Sequence, residues 1–275
     1  MGAPRLRVGI LSDIHIRLER DLPVLERTFK YFRAREVDAV LIAGDMADTG
    51  LERQMRLVAQ TWFKVFPKDR LPNGRHVERL FVYGNHDIEG HHYGTITEAL
   101  QGDDREQTLA KEAICDRREQ LWKKYYKEKF QPIYMKEVKG YKFIGAHWTN
   151  WQNTPGLKEF LEAHAGELHG QKPFFYFQHP HPKNTCSGEW AWGQDNGEVT
   201  EALSRFSNCI AFSGHSHLVL NDERTIWQGA FTSVGTASLS YTYSLGGREN
   251  DKIDGGAAYP SQMRAIDQSD GKQGM

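Results

Sequence analysis

The way the short apolar runs of this chain end restricts its fold more than any other feature. Leu6 to Leu11, Val37 to Ala43 and Leu80 to Tyr83 each read as a buried strand, and polar residues close each one at once. Between the first two runs, Leu18, Leu22, Leu25, Phe29 and Phe32 are spaced as one face of a helix. Between the second and third, Leu51, Met55, Val58, Trp62 and Val65 do the same, and Pro67 and Pro72 end that helix. Strand, helix, strand, helix, strand is the signature of crossover units in a mostly parallel sheet covered by helices.

The rhythm changes between about 88 and 132. This charged stretch reads as a helical insert, with one long helix through Leu109, Ile114, Leu121, Trp122 and Tyr125, placed where it can cover a site. Ile133 to Val138 and Tyr141 to Ala146 flank Lys139-Gly140 as a hairpin, and a helix from Leu157 to Ala165 follows. Phe174 to Phe177 and Ile210 to Phe212 are further strands. Later candidates are Thr225 to Gln228, Ala230 to Val234, Ser238 to Tyr243 and one near Gln262 to Ile266. A Gly-rich polar tail begins after about residue 244, and the whole reads as a single domain over residues 1–275.

A chain of 275 residues that is 39% hydrophobic can build a core without disulfides or a structural metal, so a metal here would serve chemistry. Cys115, Cys186 and Cys209 form no C-x-x-C pair, which fits a reducing compartment. Thirty-five basic residues balance 36 acidic ones, so no general positive field favours nucleic acid. No run approaches the length of a membrane span, the first residues lack a secretory leader, and there is no N-x-[ST] sequon. The expectation is a cytoplasmic protein with no membrane partner, a leader removed before residue 1 staying open; oligomeric state is not readable.

Five polar clusters follow five of the strands: Asp13-Ile14-His15, Gly44-Asp45-Met46-Ala47-Asp48, Gly84-Asn85-His86-Asp87, His179-Pro180 and Gly214-His215-Ser216-His217. All fall at strand carboxyl ends, the edge where ligand crevices form in α/β sheets. On extended backbone, residues i and i+2 point the same way, so Asp13 with His15, and His215 with His217, each aim two donors at one point. The donors are oxygen and nitrogen without thiolate, suited to Mn, Fe, Zn or Co, and seven are too many for one tetrahedral ion. Two divalent or trivalent ions sharing a carboxylate would use them, holding a bridging hydroxide against a phosphoryl group. That chemistry is phosphoester hydrolysis.

The five blocks, in this order, resemble the calcineurin-like metallophosphoesterase family, whose motifs are D-x-H, G-D-x-x-D, G-N-H-D, a lone His and G-H-x-H. The resemblance spans residues 13 to 217. It implies a four-layer αββα sandwich of two mixed β-sheets flanked by helices. It also implies one metal held by Asp13, His15, Asp45 and His217, and a second by Asp45, Asn85, His179 and His215, with Asp45 as the bridge. By the same resemblance His86 binds the phosphate and assists the leaving group, Asp87 orients His86, and Asp48 supports the loop without touching a metal.

Each block alone has a plainer reading: Asp13 as a helix cap, Gly84-Asn85 as a turn. Their joint occurrence in order decides against it. His181, two residues past His179, rivals it as a ligand; His179 comes first after its strand and is preferred, which leaves His181 on the rim or in solvent. His91, His92 and Tyr93 lie close enough in sequence to reach substrate. His147 and Trp148 are candidates for lining the cleft, although a packed, hydrogen-bonded His147 is the plainer reading. Trp148, Trp151, Trp190 and Trp192 sit on loops of the same edge, either to stack a base or sugar or to pack the insert. The expected activity is hydrolysis of a small phosphodiester, with a phosphomonoesterase acting on phosphorylated metabolites or nucleotides as the alternative. A nuclease and a non-catalytic scaffold are further alternatives: the balanced charge argues against the first, and retention of His86 and all seven donors against the second.

Overall fold

The computed structural model describes residues 6–93, 105–149, 155–188, 192–242 and 264–268. Ten strands follow in chain order: β1 (Leu6–Leu11), β2 (Ala39–Ala43), β3 (Glu78–Val82), β4 (Ile133–Val138), β5 (Tyr141–Ala146), β6 (Phe174–Phe177), β7 (Cys209–Ser213), β8 (Ile226–Gln228), β9 (Thr232–Gly235) and β10 (Arg264–Gln268). They form a four-stranded sheet in the order β10-β1-β2-β3 and a six-stranded sheet in the order β4-β5-β6-β7-β9-β8. Each sheet is parallel at its centre and antiparallel toward an edge, with β10 against β1, β4 against β5 and β8 against β9.

The near-continuous apolar runs make sense because both faces of each sheet are covered. Val8, Ile10, Leu41, Ala43, Leu80 and Val82 meet Tyr134, Phe143, Phe175, Phe177 and Phe212 between the sheets. Alternate residues face outward, as a period of two requires. Val40, Ile42 and Phe81 pack with Leu25, Phe29 and Phe32 of α1 (Leu22–Ala34) and Met55, Val58 and Trp62 of α2 (Glu52–Val65). Gly9 also faces α1, and a Cβ there would stand 2.6 Å from the ring of Phe32. α3 (Asn85–Glu89) leaves β3 directly. On the far side, Ile144 and Tyr176 pack with Leu157 and Leu161 of α6 (Leu157–Ala163) and Val199 and Leu203 of α8 (Glu198–Leu203), with the short α7 (Ala165–Leu168) between. Helices, sheet, sheet, helices is the expected αββα sandwich, and both sheets are mixed. Among the described residues, no helix is long and apolar enough to cross a membrane.

Three expected elements differ. The insert carries two helices, α4 (Arg105–Glu112) and α5 (Arg118–Tyr126), where one was expected. The amide of Ile114 donates to the Gly50 carbonyl at 2.9 Å and Ala113 bridges Leu51, which interrupts the helical hydrogen-bond ladder at Ile114. The helix expected from Leu157 to Ala165 breaks at His164. Ser238 to Thr242 forms no ladder: Leu239 and Ser240 instead donate their amides to the Ser12 and Asp13 carbonyls at 3.1 Å each, along the first motif loop. Tyr243 and most of the expected Gly-rich tail lie outside the described residues.

Candidate metal centre

The five motif loops leave β1, β2, β3, β6 and β7 and meet at one place, but their backbone is not extended. Asp13, His15, Asp45, His215 and His217 lie at positive φ, between 48° and 71°. The i, i+2 argument therefore needs correcting, since left-handed turns and not strand pleats aim these side chains. Such a conformation costs roughly 1–2 kcal/mol per non-glycine residue. Interlocking loops offset it: Asp13 N–H donates to the Gly44 carbonyl (3.1 Å), and the amides of Ile14 and His15 both donate to the Asp45 carbonyl (2.7 and 3.0 Å). Gly44 supplies a turn at φ +90°. Gly84 has ordinary φ and is needed for proximity, because a Cβ there would lie 2.1 Å from Asp45 Oδ1.

Two groups of donors hold the expected ligands, Asp13 with His15 and His217, and Asp45 with His179 and His215; a third, His15 with Asp48 and His86, shares His15 with the first. His217 Nε2 is 3.0 Å from Asp13 Oδ1 and 3.1 Å from His15 Nε2. His179 Nε2 is 3.1 Å from Asp45 Oδ2 and 3.1 Å from His215 Nδ1. The same Oδ2 of Asp45 stands 3.7 Å from His15 Nε2, so one oxygen faces both groups. Donors bonded to a common ion at about 2.0–2.2 Å stand roughly 3 Å apart.

The far ring nitrogens fix the tautomers. His217 Nδ1 faces the Tyr241 carbonyl (3.1 Å), His179 Nδ1 the Ala43 carbonyl (2.7 Å) and His15 Nδ1 the Asp48 carboxylate (3.1 Å). Those oxygens only accept, so each Nδ1 donates, and each Nε2 is the nitrogen turned inward, open to a cation once it has shed any proton. The His15 and His217 Nε2 atoms lie 3.1 Å apart, a contact that either a shared proton or a metal cation between them satisfies. Asn85, 3% exposed, leaves its buried Oδ1 without a hydrogen-bond partner, and a buried acceptor of that kind is costly unless a cation satisfies it. On both counts the residues fit a pair of metal ions.

The electrostatics point the same way. Burial pushes the Asp13 carboxyl up, yet His217 and His179 outweigh it and hold it at about 2. Burial likewise raises Asp45, but His179 and His86 bring it far below the carboxylate range. Burial lowers His179, whereas Asp45 and Asp13 outweigh that and lift it to about 9, so the two carboxylates demand positive charge here. Burial and the neighbouring His179 take His215 down to about 3, and burial keeps His15 below its ordinary value.

The His86 ring sits 4.6 Å from that of His15, and its Nδ1 donates to the Asp48 carbonyl at 2.7 Å. Asp87, expected to orient His86, does something else. Its carboxylate accepts the amides of Ala47 (2.7 Å), Gly84 (2.8 Å) and Met46 (3.3 Å), fastening the second loop to the third. Burial and Asp45 raise it to about 7 despite those bonds. Asp48 thus grips both histidines, His15 by its side chain and His86 by its backbone.

The remaining candidates divide. His147 is enclosed by Tyr83, Trp122 and Phe130, accepts the Tyr83 amide at 3.0 Å, and burial lowers it to about 3; it belongs to the core and not to the cleft. His181 is also buried, between Ser213 Oγ and Ser216 Oγ, which corrects its expected place on the rim. The rings of buried His91 and exposed His92 lie tilted against each other with centroids 3.9 Å apart, while the Tyr93 ring is 4.9 Å from His86. Trp148 is buried and donates Nε1–H to Glu89 at 3.1 Å, with its ring 6.1 Å from His215. Trp192 lies 5.3 Å from the His215 ring, and Trp151 and Trp190 fall outside the described residues. Tyr241, unsuspected from the sequence, holds His217 through its carbonyl and lies 4.4 Å from that ring; a backbone contact leaves no signal in residue type.

A family model described as calcineurin-like phosphoesterase matches residues 6–219. Among solved structures, a dimetal phosphatase from Danio rerio is similar at a TM-score of 0.50 and 12% identity, over 86% of this chain and 88% of that one. The protein TT1561 of Thermus thermophilus is similar at a TM-score of 0.50 and 13% identity, over 86% and 90%. At such identities these two speak for the fold. No curated protein matches.

Proposed function

We propose, from the premise that this chain belongs to the calcineurin-like phosphoesterase family and is a metal-dependent phosphoester hydrolase, that it cleaves a small phosphodiester with His86 at the leaving group. The observation that carries the reading is the inward convergence of the His15, His179 and His217 Nε2 atoms with the orphaned Asn85 Oδ1. In this reading Asp13, His15, Asp45 and His217 hold one ion, and Asp45, Asn85, His179 and His215 hold the other. Mn, Fe, Zn and Co all accept such a donor set. When bound, two such ions lower the pKa of a water and neutralise charge on the phosphoryl oxygens.

The chain's own residues do the rest. Asp45 Oδ1 accepts the His86 amide at 2.9 Å, so the residue that would bridge the ions also places the proton-transfer group. With Nδ1–H held by the Asp48 carbonyl, protonated His86 presents Nε2–H to the leaving ester oxygen. A diester expels a poor alkoxide, for which a positioned acid matters most. Turnover of bis(4-nitrophenyl) phosphate against 4-nitrophenyl phosphate with added Mn²⁺ tests the choice. The diester is expected to be the better substrate, and a marked preference for the monoester would overturn it.

A further inference from the structure

The exposed large apolar side chains among the described residues are Tyr31, Trp192 and Ile226. Tyr31 lies on α1 and Ile226 on the edge strand β8, both away from the motif loops. Trp192 is 44% exposed and stands with its ring 5.3 Å from that of His215, a donor of the proposed centre. The other indoles with described side chains are put to structural use: Trp62 and Trp122 lie in the core, Trp148 is buried against Glu89, and Trp227 packs on Phe231.

The position of Trp192 is built into the chain. The Gly193 carbonyl accepts the His181 amide at 2.9 Å, and the Asp195 amide donates to the His181 carbonyl at 2.9 Å, so the segment is paired to the one that follows His179. Asp195 is buried, and its carboxylate takes Gln178 Nε2–H at 2.8 Å, which ties the same two segments a second time. Gly193 is at φ +81°, and a Cβ there would lie 2.5 Å from His215 Cδ2. The backbone thus comes hard against His215 and leaves the indole of the preceding residue beside it, partly in water. A half-exposed indole on a fixed support next to a phosphoester centre offers a face to a flat ring.

We infer that Trp192 is a stacking platform for a planar aromatic group, a nucleobase or an aryl ring, carried on the ester arm of the substrate. The inference rests on the reading of this edge as a phosphoester site and adds the chemistry of the arm. The near-neutral charge of the chain suits a small ester better than a polynucleotide. Tyr93, its ring 4.9 Å from that of His86, is held in place by donating its hydroxyl to Glu89 at 3.1 Å.

The test is calorimetric binding of methyl phosphate, phenyl phosphate and thymidine 5′-phosphate to the Mn²⁺-loaded chain, to Trp192→Ala and to Trp192→Phe. One stacked ring corresponds to roughly a 5- to 150-fold gain. At least one of the two aromatic phosphates is expected to bind tighter than methyl phosphate by that order. Trp192→Ala removes most of the advantage and Trp192→Phe keeps much of it. Thymidine phosphate ahead of phenyl phosphate assigns a nucleobase; the reverse assigns an aryl ring. Equal affinity for all three, no binding of any, or an advantage that survives Trp192→Ala overturns the inference. Binding is read without turnover, so failure to hydrolyse methyl 4-nitrophenyl phosphate and thymidine 5′-(4-nitrophenyl) phosphate would count against the proposed activity separately.

Discussion

Replacing Asp48 by Ala tests how the proposed centre is supported. Asp48 Oδ1 lies 3.1 Å from His15 Nδ1, and its side chain is 16% exposed, so the bond is only partly screened by water. A carboxylate in this position fixes the ring and raises the basicity of the inward nitrogen, and losing such a partner weakens metal binding about 10- to 100-fold, or about 1.4–2.8 kcal/mol. The loss is expected at one ion, the one facing Asp13, His15 and His217, because His179 is held by the Ala43 carbonyl and His215 lies against His179. The hold on His86 survives, since it comes from the backbone carbonyl of Asp48. Asp48→Asn keeps an acceptor oxygen without the charge and is expected to lose less than about tenfold. Competition titration of Zn²⁺ against a chelator, fitted to two sites, reads the effect. Equal weakening of both sites, or no weakening in Asp48→Ala, would refute the reasoning.

Other outcomes follow from the same geometry. His86→Ala is expected to lower kcat by roughly 10² to 10⁴ with metal content intact by elemental analysis; unchanged turnover would remove His86 from the chemistry. Gly84→Ala puts a Cβ 2.6 Å from the Asp45 amide nitrogen as well as 2.1 Å from its Oδ1, so urea denaturation should show a loss of about 1–3 kcal/mol with reduced metal content, against which an unchanged midpoint would count. Glu52 joins α2 to α5: burial would raise its carboxyl, but Lys124, Tyr125 and Arg117 outweigh it and hold it at about 2. Its folded-state value is depressed, so its stabilisation is complete above about pH 4.5 and fades as pH falls toward 2. The stability gap between wild type and Glu52→Gln should therefore be wider at pH 6 than at pH 3, and a gap that grows on acidification would contradict the assignment.

What the sequence discloses and what it hides separate along physical lines. The bounds of β1 and β6 match the apolar runs, because strands buried on both faces leave little freedom in residue type, and those of β4 and β5 match because the turn at Lys139-Gly140 fixes a hairpin. The polar clusters after β1, β2, β3, β6 and β7 were legible because metal-binding side chains are few in kind. The left-handed turns at Asp13, His15, Asp45, His215 and His217 were not, since these residue types also suit extended backbone and the turns are imposed by bonds between loops far apart in sequence. The break between α4 and α5 was hidden for a related reason: Ile114 keeps helical dihedrals, and only the redirection of its amide to the Gly50 carbonyl interrupts the ladder. His179 and His181 are the same residue two positions apart, and only the Ser213 and Ser216 hydroxyls reveal that the second is buried behind the site.

Anomalous diffraction from crystals grown with Mn²⁺ or Zn²⁺ tests the central claim most directly. The account predicts two peaks per chain about 3.5–4 Å apart, one among Asp13, His15, Asp45 and His217 and one among Asp45, Asn85, His179 and His215. A single peak, or peaks that do not share Asp45, would contradict it.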